Sequence, residues 1–392
     1  MKILIFTNSL AGGGTERVAA TLANFWVRQH WDVTIVTLSP QSEDFYPLHP
    51  LVKRISLNLA GESRNVVDAL VQNVRRVAML RRVIMDTRPA VVFSMMSTPN
   101  VLLAFASRKL PHVCTVGSEH CYPPHSPLGR IWGTLRSRMY GRLSAVVALT
   151  HECADWIRTN SSARHVSVIP NAAVWPMPNN PPEISPGSLC RSDRKILLAV
   201  GRLEVVKNYP VLIRTFARLA AHYPDWDLVI LGEGPQRPVI EAAIRDQSLG
   251  TRVLLPGIAG NIGRWYERAD LYVMTSQSEG FPNSLAEALA HGLPAVSFDC
   301  DTGPRDIIRH GVDGLLVPAN DADMLMLALE RVMGDAGLRK TMAGRAQDAR
   351  ERFSIEKIAG MWEDLFLSLS GRASSSHAAA NAQTANGAIH DA

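Results

Sequence analysis

The chain has 392 residues, of which 46% are hydrophobic and 20% charged, and a net charge of +5. That length holds two domains with separate cores, and that balance excludes a disordered or fibrous chain. No apolar run approaches the roughly 20 residues of a membrane-spanning helix. The five cysteines show no CxxC pair and no metal-like spacing with histidine, as expected of reduced thiols in a cytoplasmic protein.

The first apolar run, Lys2–Thr7, is short and ends in a glycine loop, so it reads as a buried parallel strand rather than a signal peptide. A helix over 16–29 and a strand over 31–38 complete a βαβ unit. The alternation continues with helices at 65–87, 100–108 and 128–142 and another from 151. Strands are expected at 90–95, 112–118, 145–150 and 166–170. Residues 1–175 thus form a doubly wound α/β domain. A proline-rich stretch at 176–194 has no periodicity and reads as a linker. The same alternation resumes over 195–353, with strands near 195–200, 227–232, 252–257, 270–276, 294–298 and 314–318. An amphipathic segment at 354–369 comes next, and 370–392 lacks large apolar residues and is expected to be disordered.

Ser278–Glu287 (SEGFPNSLAE) carries the densest chemistry. Glu279 and Gly280 follow a strand, Phe281-Pro282 breaks the loop, and a short helix starts near Asn283 or Ser284, either of which suits an N-cap. A helix start offers open N–H donors and partial positive charge, which suits phosphate. Glu287 lies one turn further on, so two carboxylates that accept from hydroxyls flank an anion site. The sequence also places Gly201-Arg202 after the first strand of the second domain and Lys207 just before a helix. Arginine offers phosphate a planar fork and lysine a mobile point charge. In the first domain, Gly12-Gly13-Gly14 joins strand to helix, where missing side chains let backbone N–H groups approach an anion. It is not a dinucleotide fingerprint: Arg17 stands where the third glycine belongs, and Thr37-Leu38-Ser39 has no carboxylate for a ribose. Asp299-Cys300-Asp301 has the spacing of a metal pair, but no metal is assigned.

The order and spacing of Gly12–Gly14, Arg202, Lys207, Glu279 and Glu287 resemble family 4 of the retaining glycosyltransferases, over residues 2 to about 369. The resemblance implies the GT-B architecture: two Rossmann-like parallel-sheet domains facing a central cleft, with the C-terminal helix crossing back onto the first. It implies that Glu279 contacts the donor sugar and Glu287 the ribose. Arg202 and Lys207 would hold the diphosphate, helped by N–H groups over Asn283, Ser284 and Leu285. Gly280, Phe281 and Pro282 complete the donor loop. His120, in GSEHC after a strand, is expected over the reacting sugar as a neutral imidazole. Asn171 matches a family position, but Ala172 replaces the usual glycine, and Asn171 is not counted in the site.

The same resemblance implies a metal-independent retaining transferase with a nucleotide-diphosphate sugar, expected to be UDP-linked, as donor and no cofactor. The stretch Cys300–Pro304 resembles enzymes that act on lipid-linked glycans or build surface polysaccharide. Residues 1–175 carry 19 Lys+Arg against 10 Asp+Glu, a local excess of +9. Basic clusters at Arg75, Arg76, Arg81 and Arg82, and at Arg130, Arg136, Arg138 and Arg142, suggest an anionic inner membrane surface as partner. No nucleic-acid motif accompanies them. The alternatives are a nucleotide-sugar 2-epimerase of the same fold and a catalytically silent scaffold.

Overall fold

The computed structural model describes residues 1–61 and 65–370; the tail expected over 370–392 lies, past its first residue, outside them. The chain divides into two units, 1–170 with 355 onward and 171–354. The first holds a seven-stranded sheet: β1 (Lys2–Thr7), β2 (Asp32–Thr37), β3 (Lys53–Ser56), β4 (Val91–Met95), β5 (Cys114–Glu119), β6 (Ala145–Ala148) and β7 (Val166–Val168). Its spatial order is β3-β2-β1-β4-β5-β6-β7 with every pair parallel. β4, β5 and β6 are buried along their whole length, as expected of strands covered by helices on both faces. β3 is an addition to the expected set: an edge strand of four residues, KRIS, none of them fully buried.

The second unit holds β8 (Lys195–Val200), β9 (Trp226–Leu231), β10 (Val253–Gly257), β11 (Leu271–Met274), β12 (Ala295–Asp299) and β13 (Gly314–Pro318), ordered β10-β9-β8-β11-β12-β13. Both sheets reverse their winding once, between β1 and β4 in the first and between β8 and β11 in the second. Side chains just beyond the carboxyl ends of those strand pairs line the crevice where open α/β sheets bind ligands.

One expected segment differs. The stretch expected as a linker over 176–194 is bonded into the second unit: Asn180 N–H donates to Gly260 O at 3.1 Å, and Trp265 Nε1 donates to Ile184 O at 2.9 Å. It also contains a short helix, Pro186–Leu189. The final helix, over 355–370, groups with the first unit. Trp362 and Phe366 pack against Phe93 of β4 with ring centroids 4.4 and 6.4 Å apart, and Phe366 also meets Trp26 at 5.8 Å. Each buried aromatic of this cluster removes a large apolar area from water and adds ring-edge attraction.

Candidate functional site

In the second unit the switch between β8 and β11 collects the polar residues. β8 runs out into Gly201-Arg202, and a 3-10 turn, Val205–Lys207, leads through Asn208 into the helix Tyr209–Ala220. Asn208 takes a left-handed conformation (φ 55°), which asparagine tolerates better than most residues, and this turns Lys207 back over the strand ends. Thr275 Oγ1 donates to Lys207 O at 2.9 Å and Gln277 N–H to Val206 O at 2.8 Å, locking this turn to the loop after β11. Lys207 Nζ then lies 2.6 Å from Glu279 Oε1, with both side chains largely buried. Gly201 leaves room for this: a Cβ there would sit 2.9 Å from Tyr209 Oη and 3.3 Å from Lys207 Cε. Arg202 is exposed and pairs with Glu204 at 2.9 Å.

The helix after this loop is Asn283–Ala290, and its N-cap is Pro282 in an extended conformation, not Asn283 or Ser284. Proline fixes its own φ near the value seen here (−74°), so the chain turns into the helix one residue earlier than the polar residues suggest. Leu285 N–H donates to Pro282 O at 3.0 Å, which removes it from the expected anion donors. Among the described residues no backbone carbonyl takes the N–H groups of Asn283 and Ser284, which leaves two donors at a helix start. Phe281, Pro282 and Leu285 are buried, and Phe281 meets Phe353 edge-on at 5.6 Å, so this stretch anchors the loop in the core. Glu287 is also buried, with Tyr266 Oη donating to its Oε2 at 3.4 Å.

Two supports were not visible in sequence. Asn171, left out of the expected site, is buried and donates through Nδ2 to Asn283 Oδ1 at 2.9 Å, orienting the first side chain of the helix. Only the tertiary fold joins residues 112 positions apart. The other support is the Cys300–Pro304 stretch. Thr302 Oγ1 donates to Glu279 O, and Gly303, at φ +97°, lies so close to the loop at 280–282 that a Cβ would fall 2.6 Å from Pro282 Cδ. Burial pushes the Cys300 thiol up to about 12. Asp299 pairs with Arg305 at 3.0 Å. Gly303→Ala is therefore expected to destabilise the second domain by about 1–3 kcal/mol, strained backbone and contact together. A calorimetric scan with an unchanged melting temperature would contradict this.

In the first unit the glycine turn lies beyond β1 and His120 beyond β5, two strands separated by β4. Gly14 opens the helix Gly14–Arg28 with Gly13 as N-cap. The carboxylate of Glu16 folds against Gly13, where it accepts from Ser9 Oγ at 3.3 Å, so the anion beside this turn is the chain's own. His120 follows β5 and is buried, with Nε2 3.0 Å from Ser118 Oγ. Burial pushes the His120 ring down to about 3, which keeps it neutral near pH 7. Glu119 is fully engaged: Ser97 Oγ donates to it at 2.7 and 2.8 Å and Tyr140 Oη donates to Oε1.

The His120 shift has a signed consequence. The unfolded ring protonates near pH 6.5 and the folded ring near 3, so its stabilising contribution is present above 6.5 and is lost as pH falls through that window. Burial raises Glu119, whose contribution has the opposite sign. The difference between wild type and His120→Gln isolates the histidine: the urea midpoint of the variant is expected to fall less from pH 7 to pH 5. Parallel curves would refute it.

The basic clusters are only partly at the surface. Arg136 is buried with its guanidinium 4.8 Å from the Trp156 ring, Leu143 is buried, and Arg81 donates to the carbonyls of Ala106 and Arg108 at 2.9 and 2.6 Å. The stretch 130–142 is therefore not one continuous membrane face.

Two family models match the chain: "Glycosyltransferase Family 4" over residues 12–173 and "Glycosyl transferases group 1" over 182–349. An exopolysaccharide phosphotransferase of Streptomyces coelicolor is 29% identical over 386 residues, covering 92% of this chain; the chain spans only 40% of that relative's length. An alpha-1,4-N-acetyl-D-galactosaminyltransferase of Campylobacter jejuni, named for a GalNAc-containing, undecaprenol-diphosphate-linked acceptor, is 27% identical and covers 92% of this chain and 97% of its own. Among solved structures, Anabaena HepE in complex with UDP and glucose superimposes with a TM-score of 0.76 at 19% identity, covering 94% of this chain and 100% of its own.

Proposed function

Because the chain belongs to the GT-B glycosyltransferases, Family 4 in its first domain and group 1 in its second, we propose that it is a retaining hexosyltransferase. It moves a hexose or N-acetylhexosamine from a nucleotide-diphosphate sugar, with UDP the expected nucleotide, to a polyprenyl-diphosphate-linked glycan in polysaccharide or glycan assembly. The name of the Campylobacter relative supports such an acceptor, and the UDP bound by HepE supports the nucleotide. Among the described residues no helix is long and apolar enough to cross a membrane. We place the protein in the cytoplasm, peripheral on the inner face of the cell membrane, where such an acceptor would present its diphosphate.

The observation that carries this reading is the Lys207–Glu279 pair, 2.6 Å apart at the strand switch, in the loop that leads to a helix start with two open N–H groups. Breaking the bond from the anomeric carbon to the diphosphate leaves positive charge on the sugar and negative charge on the leaving group. Lys207, Arg202 and the N–H groups of Asn283 and Ser284 stabilise the latter, and no metal ion is assigned to that role. Glu279 reads sugar hydroxyls, Glu287 the ribose, and His120 donates as a neutral ring to the reacting sugar.

The test is incubation of the purified protein with a panel of nucleotide sugars and lipid-linked acceptors, with EDTA in a parallel series. Nucleotide release and product mass are followed. Transfer with an α-linked product from an α-linked donor, unchanged by EDTA, is expected. An epimerised sugar formed without acceptor would identify an epimerase, and an untouched donor panel would leave only the scaffold.

A further inference from the structure

The first half of the helix Val66–Thr87 has the reverse of the polarity expected for one that only covers a sheet. The fully buried residues of the helix, Leu80 and Ile84, both lie in its second half. In the first half the polar side chains are the half-buried ones: Gln72 donates to Asp68 at 3.0 Å, and Arg76 donates to Leu59 O and Gly61 O at 3.0 Å. Val66, Val67, Leu70, Val71 and Val74 are instead 60–80% exposed. At 100° per residue these five cover an arc of about 140°, and the exposed Met85 continues it. Arg75 and Arg82 are exposed along one edge of the same arc.

We propose that this face of the first two to three turns seats in the headgroup–acyl boundary of an anionic bilayer, with Arg75 and Arg82 on lipid phosphates. The inference rests on the peripheral-membrane reading and names the surface that performs it. An aliphatic stripe beside exposed arginines fits a bilayer interface, which asks for apolar area and cations but no directional partner. It fits a second copy poorly. A two-fold pairing would set like arginines against each other, offset by Asp86, already 3.7 Å from Arg82, and by Asp68, which is half-buried and accepts from Gln72. The stripe also lacks the aromatic anchors that concentrate binding energy between proteins.

The experiment is co-sedimentation of the full chain with phosphatidylcholine vesicles, with and without roughly a third phosphatidylglycerol. The wild type is expected to bind the anionic vesicles, and the double variant Leu70→Asp/Val71→Asp to lose about tenfold or more of that binding. Its circular dichroism and its turnover of a water-soluble acceptor are expected to stay unchanged, since both residues are exposed and outside the donor site. Arg75→Ala/Arg82→Ala is expected to weaken binding and its salt dependence together. Wild-type binding that the aspartate variant retains overturns this face alone. A wild type that ignores anionic vesicles overturns the membrane reading with it. A wild-type dimer in light scattering that the aspartate variant abolishes assigns the face to a second copy instead.

Discussion

Replacing Lys207 by alanine is expected to lower kcat/KM for the nucleotide sugar by about two to three orders of magnitude. The substitution removes two things at once. One is the cation proposed to meet the leaving diphosphate. The other is the partner of Glu279, 2.6 Å away and largely shielded from water. Removing one member of a fully buried pair costs about 3–5 kcal/mol, and residual exposure of both side chains brings the stability cost here below that range. Lys207→Arg keeps the charge, but its larger head must fit where Tyr209 Oη and the Gly201 backbone already crowd the lysine stem, so partial recovery is expected. A double-mutant cycle with Glu279→Gln should return a coupling of about 1–3 kcal/mol. Additive effects, or turnover by the alanine variant within about threefold of wild type, would remove the pair from the mechanism.

The second large effect is expected at Glu287. Glu287→Gln should raise the dissociation constant for the nucleotide about 10- to 100-fold while kcat changes far less. The carboxylate is buried one turn inside the helix, near the Tyr266 hydroxyl. An ionised carboxylate accepts from two vicinal hydroxyls; an amide offers one acceptor and turns a donor toward the other. A 2′-deoxyribose donor supplies the control. The wild type should bind it more weakly than the ribose donor by a similar factor, and the variant should scarcely distinguish the two. Equal discrimination by both proteins would place the ribose elsewhere.

Most of the architecture was legible in the sequence because buried parallel strands are near-continuous apolar runs, and both domains alternate them with amphipathic helices. β3 was not, since an edge strand of four half-exposed residues has neither an apolar run nor alternation to announce it. The juxtaposition of Lys207 and Glu279 was legible in their residue types and positions, since each sits just beyond one of two adjacent strands. The start of the helix after Glu279 was misplaced by one residue, since the choice between Pro282 and Asn283 is made by backbone conformation rather than by side-chain preference. Asn171 escaped because its partner is distant in the chain, and the burial of Arg136 because it depends on the ring of Trp156.

The placement of the last helix bears on the order in which this protein can mature. The chain leaves its first unit at residue 170 and rejoins it at 355, so the second domain is an insertion between two parts of the first. On a ribosome the N-terminal sheet emerges complete, yet Phe93 has no Trp362 or Phe366 to cover it until the whole inserted domain has been made. The domain made first is thus the domain finished last. During that interval an apolar strip on the nascent sheet is open to chaperones or to misassociation. Shortening the C-terminus into this helix would therefore strike the N-terminal domain, far away in sequence, and spare the inserted one.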